Sequence, residues 1–323
     1  MTELVKSAID QIETVIKGKR EVIELVFTSL VAGGHCLIED LPGSGKTLLA
    51  KCVAKTFYES LDDLPTFKRI QFTPDLLPSD ILGVNVFNPA NGEFRFVRGP
   101  IFTRILLADE INRAGPKVQS ALLEAMAEFQ VTVDNETRFL PKLFFVIATQ
   151  NPLEVAGTHP LPIAQLDRFL MRIPMNYPDP ETEENIVTDD SRIQENFNNL
   201  KPLLKESDIL QLRQKANDVY VCPAIIKAIC ELGIRSRLEN KTFGLSTRAL
   251  ILLKRCIQAK ALLHGRDFAT DKDFFDLAVP VCNHRLGVRN LKEANEVVSA
   301  LIKPLFKTLP MLVVEELERF RLS

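Results

Sequence analysis

The sequence has no excess of charge of either sign. Among its 323 residues, 40 are Lys or Arg and 42 are Asp or Glu, which gives a formal net charge of −2. Without a positive excess the chain has no global field that would hold nucleic acid or an anionic membrane surface. We therefore expect neither among its partners, although a local basic loop would escape this argument.

Cysteine and histidine are present but form no metal-ligand or redox pattern. The cysteines stand singly among apolar residues, at positions 36, 52, 222, 230, 256 and 282. They form no C-x-x-C pair, so neither zinc nor a redox couple is indicated. The four histidines are dispersed: His35, His159, His264 and His284. For His284 we expect structural packing. Reduced, mostly buried thiols are the simplest interpretation, and they indicate a cytoplasmic protein.

Long apolar runs are also missing. No segment approaches the roughly 20 apolar residues that cross a bilayer. The first residues, Met1 to Leu4, include neither a basic region nor a continuous apolar stretch, so we expect no secretion by a signal peptide. The sequence therefore predicts a soluble protein without membrane insertion.

Short apolar runs are plentiful in the first half of the chain. Five of them have the length of a strand: Cys36–Glu39, Arg69–Phe72, Ile105–Asp109, Leu143–Thr149 and Leu170–Ile173. Their apolarity is continuous rather than alternating, which is typical of strands covered on both faces. Helical patterns lie between them, at Lys46–Tyr58 and Lys117–Phe129. This alternation predicts an α/β fold with a parallel sheet.

Two segments interrupt the alternation, and a composition change follows. Val84–Arg98 and Val131–Leu140 each have a strand, turn, strand pattern, so we predict two inserted β-hairpins. At 323 residues the chain exceeds one ordinary core, and two domains are expected. The segment Asp189–Leu200 is polar and has little periodicity, so we place the boundary there. The predicted domains are residues 1–188 and a mainly helical domain, 189–323.

A glycine-rich loop stands directly between the first predicted strand and a helix. It reads Asp40-Leu-Pro-Gly-Ser-Gly-Lys-Thr47, in the context that a Walker A loop requires. Gly43 and Gly45 would let successive N–H groups point at phosphate oxygens. Lys46 would reach the β- and γ-phosphates, and Thr47 would bind magnesium. Asp40 replaces the first glycine of the general pattern, so a left-handed backbone and an outward carboxylate are expected there. The alternative is a turn that only links strand to helix.

An acidic pair ends the third apolar run, at Asp109 and Glu110. Such a pair resembles a Walker B motif, in which Asp109 would hold magnesium, largely through water, and Glu110 would orient or deprotonate the attacking water. The alternative is a solvated strand end.

Together these motifs resemble the AAA+ ATPases, and specifically the MoxR family in the clade with an insertion in its second helix. The resemblance covers almost the whole chain. It also includes segments at residues 148–152, 161–173 and 244–249, which read ATQNP, LPIAQLDRFLMRI and GLSTRA. The resemblance implies a P-loop domain, with a five-stranded parallel sheet between helices, followed by an α-helical lid domain.

The resemblance also implies roles for individual residues. Asn151 matches sensor 1, Arg168 the arginine finger and Arg248 sensor 2, so the implied catalytic set is Glu110, Asn151 and Arg168. Ile16 and Gly18 lie in the segment that borders adenine in this superfamily. The implied ATP-binding residues are Ile16, Gly18, Gly43, Ser44, Gly45, Lys46, Thr47, Leu48 and Arg248, and the implied magnesium ligands are Thr47 and Asp109.

Two further features keep alternative interpretations. Gln71 ends the second predicted strand, where it either holds Glu110 inactive as a switch contact or is only a polar strand end. The hairpins match those that face the ring pore or a client in AAA+ machines. Phe87, Phe94 and Phe96 could therefore grip a client, although we expect at least one of them to pack against the hairpin's own core.

The implied function is Mg²⁺-dependent ATP hydrolysis that drives remodelling or activation of a partner protein. The resemblance indicates a partner with a von Willebrand factor A domain and a homo-oligomeric ring, a hexamer. Two alternatives remain at the level of sequence: a chelatase-type motor subunit for metal insertion, and a nucleotide-gated scaffold with little hydrolysis. Intact Glu110, Asn151 and Arg168 argue against the scaffold.

Overall fold

The computed structural model describes residues 1–39, 43–59, 63–90, 92–151, 157–239, 243–288 and 290–322. The strands are β1 (His35–Glu39), β2 (Phe67–Gln71), β3 (Gly83–Asn88), β4 (Glu93–Arg98), β5 (Ile105–Asp109), β6 (Gln130–Val133), β7 (Glu136–Phe139), β8 (Phe145–Gln150) and β9 (Phe169–Pro174). The helices are α1 (Thr2–Glu13), α2 (Arg20–Val31), α3 (Lys46–Lys55), α4 (Pro78–Leu82), α5 (Pro116–Glu128), α6 (Ile163–Leu166), α7 (Pro180–Thr188), α8 (Asp190–Asn199), α9 (Glu206–Asn217), α10 (Pro223–Leu238), α11 (Thr247–Leu263), α12 (Asp271–Cys282), α13 (Leu291–Ile302) and α14 (Leu309–Leu322). Short 3₁₀ helices cover Ile111–Arg113, Asn283–Arg285 and Lys303–Phe306.

The predicted five-stranded parallel sheet is confirmed. Its strand order is β2-β5-β8-β1-β9, and all of its neighbouring strands run parallel. In the register of β2 and β5, Gln71 lies beside Asp109, and in that of β1 and β8, Ile38 lies beside Thr149. Parallel strands end at the same edge of a sheet, so this register brings the polar strand ends together where α/β proteins bind ligands.

Both faces of the sheet are covered along β1, β5, β8 and β9, as the continuous apolarity predicts. Successive residues of β5 enter different cores: Ile105 and Leu107 pack with α1, α2 and α3, whereas Leu106 and Ala108 pack with α4 and α5. The first core continues without interruption into the helices of the second half of the chain. Strand β5 is therefore held from two sides, which fixes the positions of its terminal residues.

The two predicted hairpins are also present, as β3–β4 and β6–β7. Asp134 and Asn135 both have positive φ, at 49° and 66°, as the two-residue loop of a type I′ hairpin requires. Asn91, in the turn of the first hairpin, lies outside the described residues. A hydrogen bond of 2.8 Å from Asn85 Nδ2 to Asp134 Oδ2 joins one hairpin to the other.

The three hairpin phenylalanines have different surroundings. Phe96 is half-buried, with its ring 5.9 Å from that of Phe102 and 3.9 Å from the guanidinium of Arg138. Phe87 and Phe94 pair with each other at 5.3 Å, yet their exposed fractions are 50% and 72%. The expectation that at least one of these rings packs inward is therefore confirmed for Phe96.

The polar segment after residue 189 differs from its sequence pattern. Instead of an irregular linker it forms helix α8, Asp190–Asn199. Ile193 and Phe197, four residues apart, pack against the first core, and Lys55 Nζ donates to the Phe197 carbonyl over 2.9 Å. One narrow apolar stripe is enough to anchor the helix, although most of its residues are polar. A domain boundary near residue 189 stays a prediction.

The second half of the chain is a helical lid domain, which is hydrogen-bonded to the edge strand β9 of the sheet. Asn283 Nδ2 donates to the Arg172 carbonyl over 3.1 Å, and Arg285 Nη2 donates to the Phe169 carbonyl over 2.7 Å. A hydrogen bond of 3.0 Å joins the His284 ring to the same Phe169 carbonyl. Burial lowers the pKa of His284 well below its ordinary value. Packing is thus confirmed as the role of His284.

Within the described ranges, no single helix is both long and apolar enough to cross a membrane. One bent pair, Leu291–Phe306 with Leu309–Phe320, meets the length and composition requirement jointly, with a bend of 59°.

Candidate nucleotide site

The glycine-rich loop joins β1 directly to α3. Gly43 and Gly45 have φ of 84° and 88°, a region that a residue with a side chain rarely adopts. Gly45 precedes the first residue of α3, Lys46, so the N–H groups of the first turn of that helix face the loop. Asp40, for which a left-handed backbone is predicted, lies outside the described residues.

A pocket of about 420 Å³ opens beside this loop. Residues 43–48, 109–110 and 149–151 line it, together with Arg69 and Gln71. The structure thus brings together residues 43–48 of the predicted loop, Asp109 at the end of β5, the following Glu110, and Asn151. Asn151 is largely buried, with an exposed fraction of 8%.

The Asp109 carboxylate receives hydrogen bonds on both oxygens. Thr149 Oγ1 donates to Oδ1 over 2.6 Å, and Thr47 Oγ1 donates to Oδ2 over 3.2 Å. The Thr149 hydroxyl also accepts from the Glu110 N–H over 2.8 Å. Sequence reasoning missed Thr149. The available signal was a polar residue inside a buried strand, one position beyond the pairing of Ala108 with Ala148 in the register of β5 and β8.

Glu110 has an unusual backbone and a well-defined set of side-chain contacts. Its φ of 57° and ψ of 51° are left-handed, and a residue with a side chain keeps such strain mainly at functional positions. Gln71 Nε2 donates to Glu110 Oε2 over 2.7 Å, which confirms the contact hypothesised from the sequence. Arg113 Nη1 lies 3.4 Å from the same oxygen.

Arg69 is a second residue that sequence reasoning missed. Its guanidinium donates to Asp109 Oδ2 from Nε over 3.1 Å and from Nη2 over 2.7 Å. Nη2 also donates to Gln71 Oε1 over 2.6 Å. Arg69 and Gln71 are two residues apart on edge strand β2, and both are exposed on the face opposite the buried Ile70. This two-residue spacing was the available signal.

The oxygen donors of the pocket suit a magnesium ion. The Thr47 hydroxyl and the Asp109 carboxylate lie 3.2 Å apart and face the loop that would hold phosphates. Mg²⁺ prefers few protein oxygens, together with waters and phosphate oxygens, and the pocket leaves room for these. Thr47 and Asp109 are therefore the residues that would hold it.

A buried ion pair stabilises the end of the strand that precedes the glycine-rich loop. Both nitrogens of the Arg172 fork reach the Glu39 carboxylate, at 2.6 and 2.7 Å. Burial raises the pKa of Glu39, while the Arg172 charge and the nearby Lys46 oppose that rise. Glu39 ends β1, so the pair fixes the strand from which the glycine-rich loop departs.

The residues predicted to border adenine lie outside the pocket lining. Ile16 is buried, and Gly18 has a φ of +69°. A Cβ on Gly18 would lie 2.8 Å from Cγ2 of Thr182, so this turn packs closely against α7. An ion pair of 2.9 Å also joins Lys17 of this turn to Asp189, the residue after α7, and it lowers the pKa of the Asp189 carboxyl.

Neither Arg168, of the implied catalytic set, nor Arg248, of the implied ATP-binding set, lines the pocket. Arg168 is exposed, and across the described ranges its side chain makes no ion pair. Arg248 is 59% exposed and lies 3.9 Å from Asp167, which also pairs with Arg285 at 2.6 Å. The lid therefore contacts the residue that immediately precedes Arg168.

Comparison with known proteins agrees with this architecture. Residues 35–171 match the ATPase family associated with various cellular activities (AAA), and residues 220–305 match the AAA lid domain. The chain is 41% identical over 314 residues to YeaC of Bacillus subtilis, an uncharacterised protein, covering 93% of this chain and 95% of that one.

A further relative is chaperone MoxR1 of Mycobacterium tuberculosis, 36% identical, with coverage of 91% of this chain and 78% of the relative. The protein MoxR of Methylorubrum extorquens is 28% identical, with 93% of each chain covered. A crystal structure of a candidate ATPase from Cytophaga hutchinsonii superposes with a TM-score of 0.81, at 36% identity and 94% coverage of both chains.

Proposed function

Because this chain belongs to the MoxR family of AAA+ ATPases, we propose that it hydrolyses ATP with Mg²⁺ and thereby remodels or activates a partner protein. The observation that carries the proposal is the convergence of the glycine-rich loop, the Asp109–Glu110 pair and Asn151 around one pocket. Such a pocket combines phosphate-binding N–H groups, the Lys46 cation and Glu110 as a candidate base within one small volume.

In the proposed complex the loop holds the phosphates of ATP. The N–H groups of residues 43–48 and the positive end of the α3 dipole face the phosphate oxygens, and Lys46 contacts the β- and γ-phosphates. Thr47 and Asp109 hold Mg²⁺, which neutralises charge on the phosphates when bound. Ile16 and Gly18 border the adenine, and Arg248 approaches when the lid moves toward the nucleotide.

Hydrolysis then requires a positioned water molecule and stabilised charge. The water oxygen forms a bond to the γ-phosphorus, the bond from phosphorus to the ADP oxygen breaks, and Glu110 accepts the water proton. Asn151 donates to the γ-phosphate or holds the water. Arg168 is exposed. A residue that completes the site of a neighbouring subunit in a hexameric ring must be exposed.

The partner proposed is a protein with a von Willebrand factor A domain. The Mycobacterium tuberculosis relative is named a chaperone, which supports a protein client in general. The exposed Phe87 and Phe94 offer an apolar surface on which such a client could be held. We also propose a cytoplasmic location, where the free cysteines would stay reduced.

Two measurements test this function. Purified protein is assayed for phosphate release from ATP with Mg²⁺ and with EDTA, alone and with candidate partners. We expect Mg²⁺-dependent turnover that Lys46→Ala abolishes. A Glu110→Gln variant is then used to capture partners in the presence of ATP, and enrichment of a protein with a von Willebrand factor A domain is expected. Turnover that is absent under every condition would support the scaffold alternative instead.

A further inference from the structure

The Arg69 side chain contacts Asp109 directly and is linked to Glu110 through Gln71. Its guanidinium donates to Asp109 Oδ2 from two nitrogens, at 3.1 and 2.7 Å, and to Gln71 Oε1 at 2.6 Å. Gln71 in turn donates to Glu110 at 2.7 Å. Asp109, Arg69, Gln71 and Glu110 therefore form one continuous chain of hydrogen bonds.

The Arg69 contacts use the oxygen that a metal would need. Asp109 Oδ1 is engaged by Thr149, whereas Oδ2 faces Thr47 and accepts from Arg69. A cation held between Thr47 and Asp109 would meet that same Oδ2. A guanidinium and a divalent ion are both positive, and they cannot both lie close to one carboxylate oxygen without strong repulsion. Arg69 and the metal therefore compete.

The second contact of Arg69 fixes the orientation of the Gln71 amide. A primary amide accepts only through its oxygen and donates only through its nitrogen. Because Arg69 occupies the Gln71 oxygen, the nitrogen is turned toward the Glu110 carboxylate. A carboxylate that accepts a hydrogen bond from the amide is less available to accept a proton from water.

We propose that Arg69 is an internal cation that competes with Mg²⁺ for Asp109 and, through Gln71, restrains Glu110 until the metal is bound. Metal binding at Asp109 displaces the guanidinium, the Gln71 amide loses its fixed orientation, and Glu110 becomes free to accept a proton. Arg69 is a positioning residue in this arrangement. The inference rests on the proposed role of Asp109 in metal binding, and its test separates the two.

The first measurement is metal affinity. Mn²⁺ replaces Mg²⁺ as a paramagnetic probe, and free Mn²⁺ is counted by electron paramagnetic resonance with a non-hydrolysable ATP analogue bound. Arg69→Met keeps the length of the side chain but removes the charge. We expect it to bind Mn²⁺ about threefold to fivefold more tightly, because one partly exposed ion pair no longer opposes the metal.

The matched control is Lys68→Met, which removes the same charge from the neighbouring position of β2. Lys68 does not line the nucleotide pocket, so its loss should leave Mn²⁺ affinity unchanged. Arg69→Lys keeps the charge without the planar fork and should give an intermediate affinity. Circular dichroism and the melting temperature verify that each variant is folded.

The second measurement follows the link through Gln71. Gln71→Ala should raise the turnover rate at sub-saturating Mg²⁺ about twofold or more in the wild-type background, and much less in the Arg69→Met background, because the restraint acts only before the metal is bound. This non-additivity is the signature of two residues acting in one path. Equal effects of Gln71→Ala in both backgrounds would disconnect Arg69 from Glu110.

The outcomes separate this inference from the proposed function. If the wild-type protein binds the nucleotide analogue without any dependence on Mn²⁺, the metal role of Asp109 itself fails. If the metal dependence is present but Arg69→Met leaves Mn²⁺ affinity unchanged, only the competition fails. A fall in nucleotide affinity in Arg69→Met, without a gain in Mn²⁺ affinity, would instead identify Arg69 as a phosphate-binding cation.

Discussion

The hydroxyl of Thr149 accepts a hydrogen bond from the backbone N–H of Glu110 over 2.8 Å. The same hydroxyl donates to Asp109 Oδ1 over 2.6 Å, so one buried oxygen fixes both consecutive acids at the end of β5. Glu110 has a left-handed backbone, and this contact from the neighbouring strand helps to hold it there.

Replacement of Thr149 by valine should therefore damage both stability and activity. Valine has the same shape but leaves the Glu110 N–H and one Asp109 oxygen without their partner. We expect the free energy of unfolding to fall by about 1–3 kcal/mol, as measured by urea denaturation. The turnover number should fall with it, since Glu110 loses its fixed position. Thr149→Ser, which keeps the hydroxyl, should retain most of both quantities, and an equal loss in Ser and Val would contradict this account.

Lys46→Ala should abolish nucleotide binding. The substitution removes the cation predicted to contact the β- and γ-phosphates, on the first residue of α3, without touching the hydrophobic core. Isothermal calorimetry with ATP should detect no binding at concentrations that saturate the wild-type protein. The control is Lys51→Ala, which removes an exposed lysine from the same helix. An ATP affinity that survives in Lys46→Ala would remove the phosphate-binding role of the loop.

Glu110→Gln should separate binding from hydrolysis. The amide has the shape of the carboxylate but cannot accept a proton from water, so the turnover number should fall by about 10²-fold or more while ATP affinity stays near that of the wild type. Phosphate release and calorimetry measure the two quantities. Glu124→Gln, an exposed position on α5, is the control. Unchanged turnover in Glu110→Gln would mean that another group acts as the base.

Arg168→Ala should nearly abolish hydrolysis at those subunit interfaces where the altered chain supplies the arginine finger. An arginine finger contributes roughly 10³ to 10⁵ in rate, so the variant alone should bind ATP but turn it over very slowly. Mixed with Lys46→Ala, which still offers Arg168, it should regain part of the activity through complete interfaces. Labelled protein verifies that the subunits exchange. Exchange without recovered activity would show that the site is not shared.

Mild acid should destabilise the protein through His35. This residue is buried, Val146 N donates to its Nδ1 at 3.0 Å, and burial lowers its pKa to about 4. The unfolded chain binds a proton there below about pH 6.5, whereas the folded chain does not, so stability is lost as the pH falls between these values. Between pH 7 and pH 5 the His35 contribution should be about 2 kcal/mol.

The measurement for His35 is urea denaturation at both pH values. His35→Gln should be less stable at pH 7, but its stability should fall by about 2 kcal/mol less on acidification than that of the wild type. His159→Gln, at an exposed position, is the control and should show the wild-type difference. An unchanged pH dependence in His35→Gln would assign the loss to other groups.

The sequence predicts more of the fold than of the contacts within the site. Continuous apolar runs placed the five sheet strands to within one or two residues. The motifs placed Lys46 and Asp109, and the family resemblance placed Asn151, around one pocket. Thr149 and Arg69 could not be found in this way. Their roles follow from which strand lies beside which, and periodicity along one strand does not contain the strand order.

Other features were not predicted, or stay predictions, for different physical reasons. Helix α8 was not recognised because its anchoring depends on two apolar residues in a polar segment. The roles of Ile16, Gly18, Arg168 and Arg248 stay predictions, since none of these residues lines the pocket. An arginine finger acts on a neighbouring subunit, so geometry within one chain does not test it.

The hydrophobic core that continues from the sheet into the lid determines which part of the molecule can rotate. Helix α2 contacts strands β1 and β9 on one side and lid helices α9 and α11 on the other, and its residues from Val22 to Val31 are almost all buried. A lid that swung on a hinge near residue 189 would have to separate these close-packed surfaces. Small sliding of packed helices costs far less, so any movement of the lid relative to the sheet should be a shear within this shared core.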